Sequence, residues 1–216
     1  MSPMEPPQLA GLLDRSAELE RAAPEERAAI EHAAVELMAS LRAHHRGTAD
    51  HSHRLPADCR RVGEVLGLRT GALFELEHVA ILHDIGKLAV PARILDLARP
   101  LTSRERAVVC HHTVRGAEIL AAVAGLAQLA PLVRASHERW DGRGYPDGLA
   151  GADIPLGARI ICACDAYNAM TTARPYKVAM PRGAAVAELA RNRGTQFDPD
   201  VVDALLAELG EQALRD

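Results

Sequence analysis

The chain has 216 residues, 48% hydrophobic but only 3% aromatic, and a net charge of −4. That length suits one domain with an extension and a substantial core. So few aromatics leave Ala, Leu and Val to fill the core, which favours closely packed helices. Charges of both signs are spread along the chain, and the lack of a basic stripe excludes duplex nucleic acid as a partner. No segment approaches membrane-spanning length, and the N-terminus has no basic start followed by an apolar run. Cys59, Cys110, Cys162 and Cys164 are irregularly spaced in apolar sequence and are expected as free thiols. Together these features predict a cytoplasmic protein without a membrane anchor.

In chain order, residues 1–7 are Pro-rich and expected to be disordered. Helices are predicted over 8–22 and 24–45. Pro24, Glu25 and Glu26 make a suitable first turn, and Ile30, Val35, Leu37 and Leu41 form an apolar stripe. A packing or dimerisation role is expected for this pair. Further helices are predicted over 52–66, 71–83, 103–112, 115–123, 126–139, 157–171, 182–192 and 199–209. Thr102-Ser103-Arg104-Glu105 has the capping-box pattern, and Asp198-Pro199 sets a cap residue before a first-turn proline. No strand alternation is evident. The irregular stretch 140–156, rich in Gly, Pro and Asp, is long enough to suggest a functional loop.

The chemistry concentrates in Leu82-His83-Asp84-Ile85-Gly86-Lys87. An imidazole beside a carboxylate at the end of an apolar helix can place two ligands on one ion or on a bridged pair. His51, His112, His137 and Asp165 supply further ligands of the same kind. Asp165 follows the apolar run Ile160–Cys164, where a carboxylate is costly to bury unless paired or metal-bound. His111 and His112 point in different directions, and His112 is the expected ligand. His53 is expected to be peripheral. Arg54 is placed to brace an acid or face a phosphate.

These residues, in order, resemble the HD-GYP domains of the HD superfamily of metal-dependent phosphohydrolases. The resemblance runs from about residue 46 to about 206. It is carried by His51-x-x-Arg54, His83-Asp84-Ile85-Gly86-Lys87, Leu101-Thr102-x-x-Glu105 and His112 with Gly116. Downstream it continues through His137-Glu138-Arg139-Trp140-Asp141-Gly142-x-Gly144-Tyr145-Pro146, Asp165-Ala166-Tyr167, Arg174-Pro175-Tyr176 and Phe197-Asp198-Pro199. The resemblance implies an all-α helical bundle over 46–210, with 1–45 as an N-terminal helical extension. It also implies hydrolysis of cyclic di-GMP to pGpG, or onward to GMP, by a metal-activated hydroxide. Two divalent ions, iron or manganese, are implied. His51, His83, Asp84 and Asp165 would hold one, and Asp84, His112 and His137 the other. Lys87 is expected near the metals against phosphate charge. Arg54, Arg143 and Tyr145 are expected on the substrate. Signalling proteins are expected at the Gly-Tyr-Pro loop, and a homodimer through the N-terminal helices.

The sequence also departs from the pattern. Ser136 stands where the family usually has a His, which weakens the second metal position. Gly47 replaces the Glu of three-metal members, Asn168 a frequent Asp, and Leu97 a frequent Lys. Two other readings therefore stand beside the enzyme: a catalytically weakened regulator that binds nucleotide or protein, and a hydrolase of another nucleotide.

Overall fold

A computed structural model describes residues 24–45, 54–173 and 178–215. The expected helix 8–22, and with it half of the proposed dimerisation pair, lies outside them. Ten α-helices are described: α1 Pro24–His44, α2 Leu55–Val65, α3 Thr70–Leu82, α4 Ala92–Leu95, α5 Ser103–Cys110, α6 His112–Ala121, α7 Ala130–Ala135, α8 Leu156–Thr171, α9 Arg182–Arg191 and α10 Pro199–Arg215. Three 3-10 turns, Ile85–Ala89, Ala127–Leu129 and Gly151–Asp153, punctuate them. Among the described residues there is no strand, only an isolated bridge between Arg193 and Phe197. The all-α expectation holds.

One aliphatic core unites the helices. Leu41, Leu55, Leu76, Leu82, Ile160 and Leu189 are almost fully buried in one cluster, each worth ~1.5–3 kcal/mol of transfer free energy. Helix α1 contributes Ile30, Ala34 and Leu41 to this cluster, so its apolar stripe is used within the chain. Val35 is not in that stripe: it is 67% exposed. Five residues beyond Ile30 is 140° around a helix, which turns Val35 to solvent. The end of α1 is tied down as well. The His44 ring bonds the carbonyl of Val90 at 2.9 Å, and His45 Nε2 lies 3.0 Å from Asp96 Oδ1.

Two expected caps form. Thr102 and Glu105 complete the reciprocal capping box at α5, and Asp198 Oδ1 accepts the N–H of Asp200 at 2.8 Å. Asp198 is also paired with Arg159. The predicted helix 126–139 is a correction. Instead a 3-10 turn leads into the six-residue α7, which has Pro131 in its first turn and ends before Ser136. Glu138 N–H then bonds the carbonyl of Ala135 at 3.0 Å, a three-residue spacing that tightens the chain out of the helix. The segment 85–95, left unassigned from sequence, forms a 3-10 turn and a short helix.

The 3-10 turn at Ile85–Ala89 is pressed against α6 by backbone contact. A Cβ on Gly86 would sit 1.8 Å from the carbonyl oxygen of His112 and 2.4 Å from the nitrogen of Gly116. Neither is the end of a flexible side chain, so no rotamer change relieves the clash. Gly86→Ala is expected to destabilise the protein by about 3 kcal/mol or more, at or beyond the upper end of ordinary overpacking. Urea unfolding checks this, and a loss under about 1 kcal/mol contradicts the close approach.

Candidate metal centre

His83 caps α3, and Asp84 leads into the 3-10 turn. The Nδ1–H of His83 donates to the Ala80 carbonyl at 2.9 Å, and that of His112, the first residue of α6, to Val109 at 2.7 Å. Each bond fixes the tautomer and leaves the Nε2 lone pair free, the arrangement in which imidazoles ligate metals. His137 comes from the turn after α7, and Asp165 from the middle of α8.

Asp84 stands at the centre. Its Oδ1 is 3.4 Å from His112 Nε2, whereas Oδ2 is 3.7 Å from His83 Nε2 and 2.6 Å from Lys87 Nζ. His83 Nε2 is also 3.9 Å from Asp165 Oδ1. The His137 ring lies 5.0 Å from that of His112 and 6.1 Å from that of His83. Ligand atoms from His83, Asp84 and His137 all fall within 4.8 Å of one another. Asp84 Oδ1, His112 Nε2 and His137 Nε2 are buried without a hydrogen-bond partner. Buried polar atoms are normally satisfied. Three left open toward one another, all imidazole nitrogen or carboxylate oxygen, fit a divalent cation.

The electrostatics favour the ligating protonation states. Burial opposes ionisation of Asp84, but Lys87, His83, His112 and His137 overcome it and hold its carboxyl well below the usual carboxylate range. Burial pushes His112 down, against the pull of Asp84, and pushes His137 down further with help from His112. At neutral pH the Asp84 anion thus faces neutral imidazoles at His112 and His137.

The structure thus brings together His83, Asp84, His112, His137 and Asp165, with Lys87 on the central carboxylate. His51 and His53 lie outside the described residues. Arg54 is exposed at the start of α2, where its charge acts on the buried carboxyl of Asp58. Arg143 is exposed on the loop and bonds Asp141 through its backbone N–H at 3.2 Å. The Tyr145 ring stacks on His137 at 5.3 Å and 12°, so the loop aromatic touches a candidate ligand directly. His111 is exposed, as expected. Ser136 is fully buried, and its hydroxyl donates to the Val133 carbonyl at 2.8 Å. All four cysteines are free.

Sequence reasoning missed two buried carboxylates. Asp58 receives Arg61 at 2.5 Å and Asn168 at 3.5 Å, and Arg61 reaches Glu208 at 3.0 Å, joining α2, α8 and α10. The available signal was an acid on the same face of α2 as Leu55, Cys59 and Val62. Glu138, 2% exposed, follows His137 in the motif, and its bonds run to the loop.

The chain matches the HD domain family over residues 17–201. It belongs to that family. The HD-GYP assignment of its motifs agrees with its relatives. The chain is 42% identical over 162 residues to the cyclic di-GMP phosphodiesterase response regulator RpfG of Xanthomonas campestris, covering 74% of this chain and 43% of that protein. It is 34% identical over 177 residues to 3'3'-cGAMP-specific phosphodiesterase 2 of Vibrio cholerae, covering 81% and 34%. A solved cyclic GMP-AMP-specific phosphodiesterase of V. cholerae has the same fold, with TM-score 0.61 and 18% identity over 85% of this chain and 48% of that one. The chain therefore spans less than half the length of these relatives. HD-domain phosphohydrolases are metal-dependent, and the His/Asp cluster is where this member could hold a metal. No helix among the described residues is long and apolar enough to cross a membrane.

A pH dependence follows for the metal-free protein. His112 and His137 have folded pKa values below the unfolded value of about 6.5. The unfolded state then binds more protons as pH falls through that value, so the stabilising contribution is complete above it and is lost below it. The urea midpoint of metal-free protein should fall between pH 7 and pH 5. Replacing both imidazoles with Gln should flatten that drop, and an equally steep drop in the double variant contradicts the assignment.

Proposed function

We propose that this chain is a metal-dependent phosphodiesterase that opens cyclic di-GMP to linear pGpG. One observation carries the reading: the half-buried Asp84 carboxylate turns its buried Oδ1 to His112 and its Oδ2, held by Lys87, toward His83, with the open Nε2 atoms of His112 and His137 around it. A carboxylate so placed can serve two ions at once. We assign His83, Asp84, Asp165 and His51 to one ion, and Asp84, His112 and His137 to the other, with iron or manganese as the metals. When bound, the ions supply Lewis-acid polarisation of the phosphodiester and an activated water. The chain's own residues do the rest. Burial keeps His112 and His137 neutral, and Lys87 neutralises charge beside Asp84. Tyr145, Arg143 and Arg54 are assigned to the nucleotide, the first as a flat aromatic surface at the wall of the site and the arginines as phosphate contacts. Residues 46–210 carry the site, with α1 as a buttress.

A second substrate is favoured by a specific observation, the relative that acts on 3'3'-cGAMP. The two cyclic dinucleotides share the phosphodiester ring and differ in one base, so the metal centre serves either. The test is turnover of both by purified protein with added Mn(II) or Fe(II). Cyclic di-GMP should be hydrolysed faster, and Asp84→Ala should lose more than about 100-fold in activity together with its metal, while remaining helical. Metal-loaded protein that hydrolyses neither dinucleotide overturns the enzyme reading in favour of a binding regulator.

Ser136 sets the expected metal stoichiometry. A hydroxyl is a far weaker ligand than imidazole, and here it is engaged with the Val133 carbonyl. One tightly held and one weakly held ion are expected, with hydrolysis dependent on supplementation. Elemental analysis of Ser136→His should show added occupancy of the second site with a matching rise in turnover. Two tight ions in the unaltered protein contradict this.

A further inference from the structure

Glu138 follows His137 and is 2% exposed. A carboxylate so deep costs several kcal/mol unless it is well bonded. Its Oε1 accepts the backbone N–H groups of Asp147 at 2.7 Å and Gly148 at 3.0 Å. Its Oε2 is buried and has no hydrogen-bond partner. Glu138 therefore directs its bonding at two consecutive amides beyond the Gly-Tyr-Pro turn.

The rest of the loop is built to meet that tie. Tyr145 N–H donates to the carbonyl of His137 at 3.3 Å. Gly144 lies so close to the preceding chain that a Cβ would sit 2.4 Å from Arg139 N and 2.5 Å from Glu138 Cα. The loop thus doubles back onto residues 137–139, laying the Tyr145 ring over His137. Arg134 grips Asp147 from outside through two bonds of 2.6 Å. Both partners of that pair are 39% exposed, so water and salt weaken it. The Glu138 bonds are sheltered from both.

We propose that Glu138 is a positioning residue: by binding the amides of Asp147 and Gly148, it holds the Gly-Tyr-Pro loop folded back so that Tyr145 lies flat on His137 at the candidate metal centre. The inference rests on the cyclic-dinucleotide reading for its kinetic arm only.

Amide hydrogen exchange and kinetics on the full chain, with Glu138→Ala and Glu138→Gln, test it. In Glu138→Ala, exchange at Asp147 and Gly148 should accelerate tenfold or more, with the α3 and α8 amides unchanged. KM for cyclic di-GMP should rise several-fold at unaltered Mn(II) content. Glu138→Gln keeps the Oε1 acceptor and should recover most of the protection and most of the KM. If the Ala variant does not fold, the Gln variant still decides, with acceleration of a few-fold confined to those two amides. Unchanged exchange there in the folded variants overturns the proposal. So does loss of Mn(II) from both variants with exchange unaltered, which makes Glu138 a metal-side group. Faster exchange in protein that never hydrolyses a cyclic dinucleotide leaves the tie standing and removes the substrate reading alone.

Discussion

The site depends on a backbone contact. Gly86 lies against His112 and Gly116 with no room for a Cβ, and this contact limits how far apart the 3-10 turn and α6 can stand. Asp84 precedes Gly86 by two residues, and His112 opens the helix on the other side. Side-chain packing at such a place tolerates shifts of several tenths of an ångström as rotamers adjust. Backbone against backbone does not. Asp84 Oδ1 can therefore stand 3.4 Å from His112 Nε2 without a side-chain bond drawing the two together. The Nδ1 bonds of His83 and His112 to their own helices then fix the last degrees of freedom.

This arrangement gathers like groups at a cost. The open Nε2 atoms of His112 and His137 and the open Oδ1 of Asp84 are kept close inside a protein, where each unmet bond costs about 1–3 kcal/mol. The aliphatic core supplies the stability that tolerates it. Lys87 relieves part of the charge by resting on Asp84 Oδ2, yet Oδ1 stays open. The centre is thus poised toward a cation rather than closed on itself, as expected of a site under functional constraint.

Much of this was legible in the sequence, for physical reasons that can be named. The helix pattern came through because packed helices bury every third or fourth residue, and the caps at Thr102 and Asp198 are local chemistry. The ligands were visible because His and Asp beside apolar runs make poor core material. The end of α7 was not visible. Residues 126–139 carry good helix formers, yet the helix ends at Ala135, where the Ser136 hydroxyl takes the Val133 carbonyl and Glu138 N–H the Ala135 carbonyl. Val35 was misplaced because an apolar residue one position off the stripe reads like a member of it. Glu138 and Asp58 looked like surface acids, since nothing local reveals that the chain folds back over one and that α8 and α10 close over the other.

Asn168 shows how a departure from a family pattern reads differently in three dimensions. From sequence it is a lost carboxylate and a mark against catalysis. In the fold it faces Asp58, whose carboxyl burial already pushes up against the opposing pull of Arg61. An Asp at 168 would put a second carboxylate beside a buried first one, and like charges at that depth repel strongly. The amide offers Asp58 a donor instead. The substitution is therefore coupled to the acid on α2 and bears on how α2 and α8 pair. Because α8 also carries Asp165, one turn away from Asn168, the same contact helps to set where that carboxylate stands relative to His83. The amide at 168 thus has a local partner in this fold, the buried acid at the α2–α8 junction.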